Sequence, residues 1–175
     1  MALLKIARMG HPVLLARAQN VEDPSSPEIQ RLIADMIETM DDAGGVGLAA
    51  PQVHIPLRLF VMRLPAERNK GESTGPIVMI NPSFTPADDE IILRREGCLS
   101  IPGLTALVPR HVTINYEALD ADETPIEGTA GGFYANVFQH EYDHLDGILY
   151  PMRITDFSSF GFAEEQARHA RKVQL

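Results

Sequence analysis

One cysteine in 175 residues rules out an intramolecular disulfide and favours a reducing compartment. No run approaches the ~18 apolar residues that a membrane span needs. Positive charge is also scarce: 15 Lys and Arg stand against 24 Asp and Glu, a formal charge of −9. That balance argues against nucleic-acid binding through a generally basic surface, and no direct DNA binding is expected. The only basic cluster, Arg168-His169-Ala170-Arg171-Lys172, reads as a solvated helix end. The start of the chain carries Lys5 and Arg8 among aliphatics and is interrupted by His11-Pro12, so it reads as a folded N-terminus rather than a signal peptide. A cytoplasmic protein with no membrane partner is the expectation, its residues 1–175 forming one domain.

Against this background the segment Gln139-His140-Glu141-Tyr142-Asp143-His144-Leu145-Asp146-Gly147 stands out. Residues four apart share one face of a helix, so His140 and His144 can hold one metal ion between them. Glu141 projects about 100° round the helix, placed to handle a proton without being a ligand. Such a pattern arises by chance in roughly one or two chains per hundred, as an ordinary charged helix face. The rest of the sequence therefore has to carry weight.

A water-activating metal site needs three protein ligands and an open position. Downstream of His144 only His169 remains, far along the chain and close to its end. Upstream, Glu96-Gly97-Cys98-Leu99-Ser100 holds the lone cysteine, with Gly97 permitting close backbone approach. A lone cysteine is ordinarily a small buried hydrophobe, but a thiolate is also a strong soft ligand. Cys98, His140 and His144 then make a three-ligand set. A third segment, Gly45-Val46-Gly47-Leu48-Ala49-Ala50-Pro51-Gln52, superficially matches a dinucleotide fingerprint. It follows a helix rather than a strand, and Pro51 spoils a helix interior, so tight packing beside a substrate is the better reading, with Gln52 offering an amide donor.

The clearest helix covers Ser25 to Met40, with Ser25 and Glu28 as a capping box and Ile29, Leu32, Ile33, Met36, Ile37 and Met40 on one stripe. Strand-like runs follow at Arg58 to Met62, Ile77 to Ile80, Ile91 to Leu93 and Val112 to Leu119. Breaks are expected at Asn81-Pro82, Asp88-Asp89, Pro102-Gly103 and Asp120 to Thr124. Gly131 to Leu145 becomes helical again, and Phe157 to Val173 predicts a terminal helix. The result is an α+β fold: mostly antiparallel short strands around a central helix carrying the metal motif, with helices near both ends.

These three motifs, in this order, resemble peptide deformylase, and the likeness extends from Arg8-Met9-Gly10-His11-Pro12 to about Pro151. The resemblance implies removal of the formyl group from N-formylmethionyl ends of nascent proteins, with transient ribosome contact. It implies one divalent metal, Fe²⁺ as the native ion and Zn²⁺ or Ni²⁺ as alternatives, held by Cys98, His140 and His144. By the same likeness Glu141 is the general base and then acid, and Gln52 with the Leu99 backbone N–H stabilises the oxyanion. Val46, Phe133, Asn136 and Val137 are candidate walls of the methionine pocket beside Gly47 and Gly97. Two departures stand out: relatives commonly carry an arginine where this chain has Leu104-Thr105, and an aliphatic residue where it has Asn136. The competing expectations are another metal-dependent amidase or peptidase and a degenerate, non-catalytic relative.

Overall fold

The structure is a computed structural model that describes residues 2–68 and 73–169. In chain order the strands are β1 (Gly47–Ala49), β2 (Leu59–Met62), β3 (Ile77–Pro86), β4 (Ile91–Cys98), β5 (Ile101–His111), β6 (Thr113–Leu119), β7 (Pro125–Gly131) and β8 (Gly161–Phe162). The helices are α1 (Pro27–Asp42), α2 (Gly132–Leu145) and α3 (Ala163–His169). The strands form a five-stranded sheet, β1-β2-β3-β6-β7, and a three-stranded sheet, β4-β5-β8, and all strand pairs are antiparallel. The α+β expectation stands.

β2 shows how the sequence builds two cores from one strand. Alternate side chains point to opposite faces. Leu59 and Val61 pack with Ile33, Met36 and Met40 of α1, whereas Phe60 and Met62 pack with Ala135, Phe138 and Leu145 of α2. The five-stranded sheet is therefore held between α1 and α2. A third cluster, around Leu14, Ile101, Val108 and Tyr150, seats the smaller sheet.

Several boundaries differ from the sequence reading. Ser26, not Ser25, caps α1, its hydroxyl accepting from Ile29 N at 3.5 Å. Pro27 takes the first helical position, where its missing N–H costs nothing, so the cap is the residue before it. β3 runs through Asn81-Pro82 instead of stopping there. The strand absorbs them in a register shift between Ile80 and Ser83, with Asn81 at φ 49°. The Asn81 side chain both accepts from Val21 N at 2.8 Å and donates to Val21 O at 3.0 Å, replacing bonds that the ladder loses.

β5 was not expected, because Pro102-Gly103 read as a break. The pairing moves from Cys98↔Ile101 to Gly97↔Thr105, so Pro102, Gly103 and Leu104 have no partner on β4. A residue without an N–H and a glycine at φ 81° fit that bulge. β7 was also missed; its Pro- and Gly-containing sequence has little strand preference and depends on pairing with β6. The C-terminal segment enters α3 through a 3₁₀ turn, Phe157–Ser159, and β8. The helix expected to start at Phe157 therefore starts at Ala163, and its part beyond His169 lies outside the described residues. Of the basic cluster, Arg168 and His169 are described, and both lie against Glu165 at 2.6 and 3.5 Å. No described helix is long and apolar enough to cross a membrane.

Candidate metal centre

α2 leaves β7 at Gly132, whose φ of 61° turns the chain into the helix between the two sheets. His140 and His144 sit one turn apart, with ring centroids 5.1 Å from each other. β4 approaches this helix face. Glu96 and Cys98, two residues apart on the strand, both turn toward it. The Cys98 Sγ lies 3.3 Å from His144 Nε2, and the ligand atoms of Cys98, His140 and His144 all fall within 4.8 Å of one another.

A bank of charges stands behind His140. Its Nδ1 lies 2.8 Å from Glu96 Oε2, and the ring also contacts the Cys98 side chain. Arg110 of β5 clamps Glu96 through Nε at 2.7 Å and Nη2 at 3.0 Å, and reaches Asp143 of α2 through Nη1 at 2.7 Å. Arg153 holds the same Asp143 at 2.7 and 3.1 Å. The Asn136 amide donates to Glu96 Oε1. Burial works to raise the Glu96 pKa, but His140 and Arg110 outweigh it and bring it down to about 2. The carboxylate therefore stays ionised and fixes the ring beside it.

The thiol is prepared in the same way. Burial opposes ionisation of Cys98, yet the adjacent His144 and His140 rings hold it well below the ordinary thiol range. Thiolate is the ligating form. Glu141 behaves oppositely: burial pushes its carboxyl up to about 7, only partly countered by His140 and His144. Its Oε2 is buried with no hydrogen-bond partner, leaving it free for a guest. Gly47 makes room for this side chain, since a Cβ there would lie 2.2 Å from Glu141 Oε1.

Gln52 sits in a 3₁₀ turn, Ala50–Val53. Its Oε1 accepts from Ala49 N at 2.8 Å, which aims Nε2 at Cys98 Sγ (3.4 Å) and Ser100 Oγ (3.1 Å). Leu99 lies in the turn joining β4 to β5. A cleft of about 520 Å³ opens over these groups. Val46, Gly47, Gly97, Phe133, Asn136 and Val137 all line it, as do Gln52, Cys98, Leu99, His140 and Glu141. His144 is not on its surface and lies behind, 1% exposed.

The sequence reading missed Glu96 and Arg110 as partners of the centre, Ser100 beneath Gln52, and Arg68 and Arg95 along the cleft. Only the place of Glu96 and Ser100 inside the cysteine motif hinted at them. Thr105, where a positive charge was noted as missing, accepts from Arg95 Nη1 at 3.4 Å. A guanidinium thus stands beside that position, contributed by the neighbouring strand.

The donor set fits a divalent cation. It offers one thiolate and two imidazoles, one ring anchored by a carboxylate through its other nitrogen, as ligating histidines usually are. An α+β fold presenting this cluster beside a partnerless buried carboxylate, at the floor of a largely apolar cleft, defines a metal-dependent hydrolase. Comparison narrows the class. The profile of the polypeptide deformylase family matches residues 3–159. Peptide deformylase 1 of Xanthomonas campestris pv. campestris is 48% identical over 162 residues, spanning 91% of this chain and 95% of the relative. Peptide deformylase 2 of Pseudomonas syringae pv. tomato is 47% identical over 163 residues, 91% of each. Among solved structures, the Thermotoga maritima peptide deformylase aligns with a TM-score of 0.81 at 37% identity, covering 89% of this chain and 100% of that one. The Met-Ala-Ser-bound class I type b peptide deformylase of Acinetobacter baumannii aligns with 0.81 at 33% identity, covering 87% and 99%. The chain belongs to the polypeptide deformylase family.

Proposed function

We propose that this chain releases formate from the N-formylmethionyl ends of nascent polypeptides. The observation that carries the reading is the convergence of Cys98, His140 and His144 beside Glu141, at the base of a cleft with apolar walls. The tripeptide bound to the A. baumannii relative supports a peptide as the occupant of that cleft.

In this reading Cys98, His140 and His144 hold one divalent ion, with Fe²⁺ the native choice and Zn²⁺ or Ni²⁺ able to replace it. When bound, such an ion supplies Lewis acidity and makes water ionisable near neutral pH. Glu141, whose carboxyl is already pushed up to about 7, takes the water proton and delivers it to the departing amine. In this reading the Gln52 amide exchanges its long contact with Cys98 Sγ for the oxygen on which negative charge develops, and the Leu99 N–H donates to the same oxygen, each contributing about 3–4 kcal/mol to lowering the barrier. Val46, Phe133, Asn136 and Val137 form the wall for the methionine side chain, while Gly47 and Gly97 let the peptide backbone come close. Glu96 holds the His140 ring in place. Residues 1–175 act as one catalytic domain, working in the cytoplasm on chains leaving the ribosome.

The test is formate release from a formyl-Met-Ala-Ser peptide by anaerobically purified, metal-analysed protein. Glu141→Gln is expected to keep its metal and lose about 10²–10⁴-fold in rate. Wild-type turnover in that variant would remove the proton-transfer role. Release of internal fragments without formate would replace the reading with that of a general metal-dependent amidase.

A further inference from the structure

Two cations along the cleft have no part in the chemistry above. Arg95 on β4 and Arg68 in the 3₁₀ turn Ala66–Arg68 both line it. Neither forms an ion pair with a carboxylate among the described residues. Arg95 Nη1 is held by neutral partners instead, the Thr105 hydroxyl at 3.4 Å and the Gln166 carbonyl oxygen of α3. Thr105 in turn donates to the same Gln166 oxygen at 2.7 Å, so α3 fixes the guanidinium without neutralising it. Arg68 lies over the Phe133 ring at 4.8 Å, a contact that also leaves its charge uncompensated. Of the acidic residues on the cleft, Glu96 is taken up by Arg110 and His140, and Glu141 sits at the floor.

This placement is unusual for a chain of formal charge −9, whose overall field repels anions. Arg95 lies three residues from Cys98 on β4, about 10 Å along an extended strand. An extended substrate with its formyl group at the centre spans the same distance by about its third residue. Building on the deformylase reading, we propose that Arg95, assisted by Arg68, selects peptides carrying a carboxylate side chain at the third position. These are specificity-determining residues: they touch the substrate away from the reacting bond. Their effect belongs in KM, since an interaction equally strong in ground and transition states lowers KM without changing kcat.

The experiment compares formyl-Met-Ala-Asp-amide with its near-isosteric neutral counterpart, formyl-Met-Ala-Asn-amide, on the metal-loaded enzyme at low ionic strength. The expected result is a kcat/KM ratio of roughly fivefold in favour of the Asp peptide, the size of a favourable exposed ion pair. The ratio should appear in KM and shrink as salt is raised. Arg95→Gln keeps the hydrogen-bonding reach toward Thr105 and Gln166 but removes the charge, and should bring the ratio close to one. Equal KM values for the two peptides in the wild-type enzyme would overturn the proposal while leaving deformylation intact, and that comparison needs no variant to fold. A ratio that persists undiminished in Arg95→Gln, Arg68→Gln and the double variant would also overturn it. Formate release from neither peptide would instead overturn the deformylase reading, and this inference with it.

Discussion

α2 faces two sheets and speaks a different language to each. Toward the five-stranded sheet it presents Ala135, Phe138 and Leu145, all fully buried, with Phe138 edge-on to Phe60 at 5.2 Å and Phe84 at 5.9 Å. Toward β4 and β5 it presents Asn136, Gln139, His140 and Asp143, every one bonded to a polar partner. The first face stabilises through area removed from water. The second gains little net stability, because desolvating charges offsets much of their attraction. What the second face provides is orientation: a chain of contacts runs His140–Glu96–Arg110–Asp143–Arg153, and Asp143 immediately precedes His144.

If that division is right, substitutions on the two faces will separate stability from metal binding. Phe138→Ala should cost about 3–5 kcal/mol of stability by opening a cavity, while the folded fraction binds metal normally. Arg110→Ala should cost a similar ~3–5 kcal/mol, because Glu96 loses two donors and Asp143 one, but here metal affinity falls too. Denaturant melts of metal-free protein, paired with metal titrations, read both quantities. Equal metal affinity in the two variants would erase the distinction.

Glu96→Gln makes a sharper cut. It retains shape and a hydrogen bond to the ring but removes the charge that fixes it, so metal affinity should drop about 10–100-fold. Competition with a chelating dye measures this, and an unchanged affinity would reduce Glu96 to a structural partner of Arg110. The smallest effect is expected at Asn136→Leu. Glu96 there keeps Arg110 and His140 and loses one donor, so stability should fall by about 1.5 kcal/mol, the low end for a bond to a charged group. A larger loss would place Asn136 among the supports of the centre and not merely on the cleft wall.

The same two faces explain what the sequence disclosed. That Cys98, His140 and His144 would lie together was legible because each sits in a compact motif: His140 and His144 share a helix turn, and Cys98 lies between Gly97 and Leu99. The α1 stripe and the β2 run were legible from periodicity. Arg110 gave no such signal. It lies 14 residues from Glu96 and 33 from Asp143, and only the β4–β5 pairing brings them together. Arg95 reached the cleft by the same long-range pairing, and Arg68 by its approach to Phe133. β5 and β7 were hidden for another reason. Prolines and glycines that ordinarily end strands here occupy a bulge in β5 and the two ends of β7, with Gly128 lying against the Tyr116 ring.

The central claim is that one sulfur and two imidazole nitrogens meet on a single ion, and an X-ray absorption spectrum of the zinc-loaded protein tests it most directly. The account predicts one metal per chain with a sulfur scatterer near ~2.3 Å beside nitrogen scatterers near ~2.0–2.1 Å, and loss of the sulfur shell in Cys98→Ala. A wild-type spectrum showing only nitrogen and oxygen around the metal would contradict it.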